Sequence, residues 1–412
     1  MLRLIENKII LKLWTARIVS VFGDIFFDIF VTWAMYARFK DLKVIVYALG
    51  GSFVLKSMFA VFSGKITDSF SRRKIVMLTD IGSVLVVSLF VLFNKLGSGY
   101  LAFFIFLFIV KTFLGSLFGN AFSAFFADNV KPGDFIKAQA LISGSIRTIN
   151  FFGAAAAGIM GAFLPMHWAV VLDAASFLFS AAVFYSLKND IPAEEAHKQR
   201  PAIDFLKYLD VAILRQSWGF VESNILSNRF VLVFCGNVFL LNLVYGYIPN
   251  VFPYLLAQNS GYGAAYLGIL RSTIAIGEVL GLAIVGKYGH RVSKCFIYGL
   301  FGTAVSLIMI LVPIAPVATI IAAYFLYGLS DSVTQPYYSY FVTSLPSQIR
   351  GRMLGAVDMV VLIAAPIGMF FGEKIFSHNV HIGIIAFTAI IGVVLAGFIA
   401  GKTTRGIVAD VQ

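Results

Sequence analysis

Gly64-Lys65-Ile66-Thr67-Asp68-Ser69-Phe70-Ser71-Arg72-Arg73-Lys74 is a short, basic, glycine-led segment set between two long apolar runs. A second segment of the same kind, Gly286-Lys287-Tyr288-Gly289-His290-Arg291-Val292-Ser293-Lys294, begins 222 residues after the first, again between apolar runs. Pro132 and Pro346, each near the start of a later polar segment, loosely extend the repeat. Such a repeat points to two equivalent halves, an arrangement in which membrane carriers place their site where the repeats meet.

Outward from these segments the apolar runs can be counted. A membrane-crossing helix needs about 20 mostly apolar residues. Twelve runs qualify: 11–37, 44–64, 75–94, 100–127, 138–164, 167–187, 230–257, 262–286, 295–313, 316–343, 353–373 and 380–401. The composition agrees, with 59% hydrophobic and 13% charged residues over 412 positions. Soluble domains sit near ~45–50% and ~25%. Soluble enzymes, nucleic-acid binders and secreted disulfide scaffolds are thereby excluded. The expected fold is an all-α membrane protein, twelve transmembrane helices in two pseudo-symmetric six-helix bundles. The bundles are residues 1–187 and 223–412, joined by a cytoplasmic linker, 188–222. Within the linker, Phe205-Leu206-Lys207-Tyr208-Leu209, then Trp218 and Phe220, reads as an amphipathic helix on the inner membrane face. A partner-binding linker is the alternative.

The formal charge of +12 reflects topology. With the N-terminus inside, the cytoplasmic segments hold twenty-two Lys and Arg and the outer segments five: Arg38, Lys40, Lys43, Lys95 and Lys374. That bias predicts a multi-pass protein of the cell (plasma or inner) membrane with both termini cytoplasmic. Cys235 and Cys295 lie in or beside apolar runs, so neither a disulfide nor a thiolate metal site is expected. The five histidines lie outside run interiors, and no nucleophile motif stands out. No enzyme activity, metal or cofactor is expected, and the chain is expected to act as a monomer.

Ionisable residues in mid-span carry the functional signal. Each costs at least ~2.5–3.5 kcal/mol if left in lipid. The acids are Asp24, Asp28, Glu278 and Asp331; the bases are Lys56, Lys111, Arg147 and Arg271. Arg17, Asp24 and Asp28, spaced by seven and four, share one helix face. Arg271 and Glu278, also seven apart, stand about 10 Å from each other along theirs. Lys111 precedes Gly115 and Gly119, which predicts a tight helix contact beneath it. The acids are candidates for proton coupling, Asp28 and Glu278 first. The bases are candidate cavity residues, either counter-ions or substrate ligands. Phe26, Phe27, Trp33 and Tyr36 of the first run, with Tyr245, Tyr247 and Tyr254 of the seventh, are candidate aromatic walls.

The 64–74 segment resembles the signature loop of the major facilitator superfamily: Gly64, Asp68, Arg72 and Arg73 match, while Ser69 and Ser71 stand where Arg and Gly are usual. Ala16-Arg17-Ile18-Val19-Ser20-Val21-Phe22-Gly23-Asp24, Leu172-Asp173-Ala174-Ala175-Ser176-Phe177 and Pro346-Ser347-Gln348-Ile349-Arg350-Gly351-Arg352 look like the drug:proton antiporter branch that contains macrolide and siderophore exporters. Gly153-Ala154-Ala155-Ala156-Ala157-Gly158 departs from that branch, whose fifth span usually carries Gly-Pro. The resemblance implies a gate in which the loop Asp is held by neighbouring basics and by the eleventh span. Gly64, Asp68, Arg72, Arg73, Asp128 and Asp358 are its candidates, with Asp80 alongside. The function implied is proton-coupled efflux of a hydrophobic or amphipathic small molecule, drug-like or macrolide-like, by alternating access, one half rocking against the other, with protons and the surrounding lipid bilayer as the other partners. An exporter or flippase of an anionic solute, such as a siderophore or lipid, is the alternative; a non-transporting receptor or scaffold is the third reading.

Overall fold

The computed structural model describes residues 7–94, 98–130, 132–187, 229–261, 263–310, 317–344, 357–358 and 360–404. They are helical almost throughout, with no strand among the described residues. The helices are α1 Lys8–Phe39, α2 Leu42–Ser69, α3 Arg72–Leu89, α4 Leu101–Asn129, α5 Pro132–Phe163 and α6 Met166–Ser186. After the 188–222 segment, which lies outside the described residues, come α7 Arg229–Tyr247, α8 Phe252–Ser260, α9 Gly263–Tyr288, α10 Val292–Ile310, α11 Val317–Ser344, α12 Ala364–His378 and α13 Val380–Thr404. Ten of these stretches are long and apolar enough to cross a membrane, α7 and α8 counting as one. With α2 and α5, of 28 and 32 residues, the spans number twelve.

Two runs end differently from the sequence expectation. Run 230–257 is broken by a turn at Ile248–Val251. Pro249 lies in that turn, and a proline at this point removes a helical N–H and clashes with the preceding turn. The Tyr324 hydroxyl donates to the Ile248 carbonyl across 3.0 Å, satisfying a group the break exposes. The eleventh span runs to His378, past the expected end at 373, because the Glu373 side chain is buried and does not mark an exit to water.

The chain divides into two compact units, Met1–Leu214 and Arg215–Gln412. In the first, α1 packs on α5 and α6, α3 on α4 and α6, and α2 on α4. In the second, α7 packs on α12 and α13, α10 on α11 and α13, and α9 on α11. Each of these five pairings of the first unit thus recurs at the equivalent spans of the second, which is the pseudo-symmetry expected of a repeated bundle.

Within the first unit the apolar core is split in two. One cluster joins Ile10 and Leu13 of α1 to Val76, Phe122, Phe126 and Phe184. The other joins Phe27, Val31 and Met35 to Val87, Phe104, Phe108 and Val170. Along α4 the clusters stop at Phe108 and resume at Leu117, and along α3 they stop at Val76 and resume at Val87. Thr79, Asp80 and Ser83 of α3 and Lys111 and Thr112 of α4 fall in that gap.

Candidate functional site

Lys111 occupies the gap on α4. Its side chain is nearly sealed, with the residue 4% exposed. Its Nζ lies 2.8 Å from Asp24 Oδ1, 3.0 Å from Asp28 Oδ1 and 3.7 Å from Asp173 Oδ2. The ammonium also sits 4.5 Å from the centre of the Phe27 ring, a favourable cation–π distance. Asp24 and Asp28 are one turn apart on α1, so both carboxylates reach the same ammonium. Asp173 comes from α6 and is fully buried. Its approach requires Gly23, because a Cβ there would strike the Ser176 hydroxyl and the Asp173 carboxylate. The neighbouring Thr32 hydroxyl donates to the Asp28 carbonyl, holding the α1 backbone at this depth.

In front of the ammonium lies a cavity of about 420 Å3 within the first unit, enough for roughly a dozen waters at ~30 Å3 each. Arg17, Asp24, Asp28, Lys56, Asp80 and Lys111 supply its charged lining. Arg17, Asp24 and Asp28 all face it, as their spacing on one helical face predicts. Arg17 stacks its guanidinium 5.2 Å over Phe118 and 5.7 Å over Phe122. Lys56, from α2, lies close enough to Asp24 and Asp28 to feel both charges. Gly115 and Gly119 correct the sequence reading: they do not bring helices together, since a Cβ on either would meet nothing within 4 Å among the described residues. They keep the α4 wall low and the chamber open.

Asp80 is the member that sequence reasoning misplaced. Grouped there with the gate, it lines this chamber instead, because α3 begins at Arg72 and eight residues of helix carry Asp80 about 12 Å inward. It is 1% exposed, and neither carboxyl oxygen has a hydrogen-bond partner among the described residues. Asp173 was read only as part of a motif, since it lies two turns from the start of its span. Helical register beside Gly23 and Ser176 was the available signal for it.

The other candidates lie elsewhere. Arg147 is half-buried on α5 and is not among the lining residues of the chamber. Trp33 and Tyr36 pair on α1 with ring centres 5.7 Å apart, Tyr36 buried. In the second unit, Tyr245 packs edge-on against Tyr327 at 5.6 Å. Its buried hydroxyl lies beside Asp331, Thr303 and Thr334 without a hydrogen bond of good geometry. Glu278 and Asp331 act electrostatically on Tyr327, and Arg271 on Tyr324. Tyr247 packs against Phe252, Phe376 and Phe387, and Tyr254 is fully buried, so both belong to the core of this unit.

Of the gate candidates, Arg72 forms an ion pair with Asp128 at the end of α4 and donates 3.1 Å to the Ala124 carbonyl. Arg73 donates 3.4 Å to the Tyr185 carbonyl at the end of α6. Asp358 lies near Tyr338 of α11. The surroundings of Gly64, the side chain of Asp68 and the 346–352 motif lie outside the described residues.

The Major Facilitator Superfamily family model matches residues 13–369, and the chain belongs to that superfamily of membrane transporters. It is 23% identical over 318 residues to the MFS-type transporter YfiS of Bacillus subtilis (strain 168), covering 75% of this chain and 72% of that one. Its fold is similar to that of the nucleoside transporter NupG, with a TM-score of 0.71 and 12% identity over 95% of this chain and 98% of that one. It is similar also to a bacterial homologue of the iron transporter ferroportin in its inward-facing state, with a TM-score of 0.69 and 14% identity over the same shares of each chain. The protein is therefore a multi-span integral membrane transporter.

Proposed function

We propose that the protein is a proton-coupled exporter of a hydrophobic or amphipathic small molecule bearing a basic group, working by alternating access in the cell membrane with both termini cytoplasmic. One observation carries the reading. The chamber and its wall bring four carboxyls (Asp24, Asp28, Asp80 and Asp173) against three cations (Arg17, Lys56 and Lys111). With every group ionised, one negative charge is left over in a low-dielectric site where an uncompensated charge is costly. Either a proton or a cationic group can cancel it, and each makes the other unnecessary. Two ligands that bias one equilibrium in opposite directions are the thermodynamic basis of exchange.

The residues divide the work. Lys111 gathers Asp24, Asp28 and Asp173 around one ammonium. Asp80, beside Ser180 and Arg17 but with no hydrogen bond of good geometry to either oxygen among the described residues, is the group on which a proton would reside. An anionic substrate would add to the one negative charge left over when the four carboxyls and three cations are ionised. The chamber therefore favours basic cargo over the siderophore or anionic-lipid alternative.

The test uses purified protein in liposomes enclosing a pH-sensitive dye. An amphipathic cationic dye added on one side should drive protons the other way, and Asp80→Asn, which imitates the protonated site, should abolish that movement and weaken dye binding with the thermal midpoint maintained. Proton movement that is equal with and without dye, or intact in Asp80→Asn, overturns the assignment.

A further inference from the structure

A second cavity of about 420 Å3 lies wholly in the second unit, where α9 ends and α10 begins. Its lining divides by chemistry. Arg291 and Lys294 stand at it as exposed cations, Tyr288 and Tyr298 present exposed rings, and Leu329 and Val333 of α11 form part of an apolar wall. No carboxylate is among its described lining residues. Lys287 adds a further positive charge nearby, its ammonium 5.2 Å over the Tyr288 ring, and the 286–294 segment contains no acid.

Two cations beside aromatic rings at the end of a membrane span, with an apolar wall running along the helices from them, match the profile of a lipid. The cations suit a phosphate, the tyrosines suit the headgroup level, and the apolar wall suits an acyl chain. A soluble anion would leave the apolar wall unused, and a neutral apolar molecule would leave two cations without a partner. We propose that this groove binds one anionic phospholipid of the surrounding bilayer, phosphate between Arg291 and Lys294 and one chain along Leu329 and Val333. The charge bias of the sequence assigns this end to the cytoplasm, where anionic lipids give the leaflet its negative potential. The site is separate from the ionic chamber and does not depend on its role.

The experiment is native mass spectrometry of the full chain exchanged from detergent into mixed micelles of phosphatidylglycerol or phosphatidylcholine. One phosphatidylglycerol should stay bound in preference to phosphatidylcholine. Arg291→Gln with Lys294→Gln should lower its retention by about fivefold for each cation removed. Lys287→Gln, outside the lining, should lower it much less, and Arg291→Lys should keep most of it. Inorganic phosphate at millimolar concentration should fail to displace the lipid. Equal retention of the two lipids, an unchanged double variant, an equal loss in Lys287→Gln, or displacement by phosphate would each overturn the proposal. A thermal melt of every variant separates lost lipid from lost fold.

Discussion

The two units pair their helices in the same pattern yet fill the middle of the bundle with different chemistry. In the first, two apolar clusters are separated by an ionic layer in which one ammonium serves three carboxylates. In the second, aromatic contacts run through the interior, with Phe234 stacked on Phe341 at 3.8 Å and Phe296 against Tyr337 at 4.2 Å. The glycines follow the same division. A Cβ on Gly277 or Gly281 would strike the backbone of α11, and one on Gly328 the backbone of α9, so these residues permit close packing. Gly115 and Gly119 face empty space. Shared topology leaves the interior chemistry free, so one unit can bring helix backbones together through glycines while its repeat opens a chamber around charges.

The comparison can be broken most directly at the buried charges. Lys111→Met leaves three carboxylates without their cation and should cost about 3–5 kcal/mol, because stranding a buried ion costs more than the pair contributes. Arg271→Met in the second unit should cost clearly less. Thermal midpoints in detergent measure both, and equal losses would end the claim of asymmetry. Transport by Lys111→Met should fall to background.

The glycines give the next largest effect. Gly328→Ala should destabilise by about 1–3 kcal/mol through overpacking against α9. Gly119→Ala should instead raise stability by roughly 0.5–1 kcal/mol, since it removes chain freedom without a clash. It should also weaken substrate binding by narrowing the chamber, which an equilibrium dye-binding titration reads.

The Arg72–Asp128 pair sharpens the contrast between buried and exposed ions. Asp128→Asn should change stability by only ~0.2–1 kcal/mol, less at high salt, because half of that carboxylate's surface is open. A salt-independent loss would place the pair with the buried group. Smallest of all is Tyr245→Phe, which removes a buried hydroxyl lacking a good hydrogen bond. It should leave the melting temperature level or slightly raised. A fall in transport with unchanged stability would show that the hydroxyl serves a ligand.

Most of the architecture was legible because spanning a bilayer imposes length and apolarity on each helix separately. Runs of that length are visible without knowing what they touch. The break at Pro249 and the extension past Glu373 were missed for opposite reasons: one hides a turn inside an apolar run, the other buries a charge that looked like an exit. The site was half legible. Arg17, Asp24 and Asp28 declare a common face through spacing on a single helix. Lys111 was visible as an isolated charge, but its three partners were not, since two come from α1 and one from α6.

The sequence by itself determined that this chain spans the membrane as repeated halves, and that charges at mid-depth must find company, because lipid offers an ion no solvent. Only the tertiary structure decided which company each charge keeps. Asp173 and Asp80 enter the ionic layer through helix packing, and Gly115 and Gly119 become the wall of a cavity where their pattern suggested a contact. Periodicity fixes the direction of a side chain on its own helix; it says nothing of which neighbour stands opposite, and that pairing turns scattered charges into a chamber.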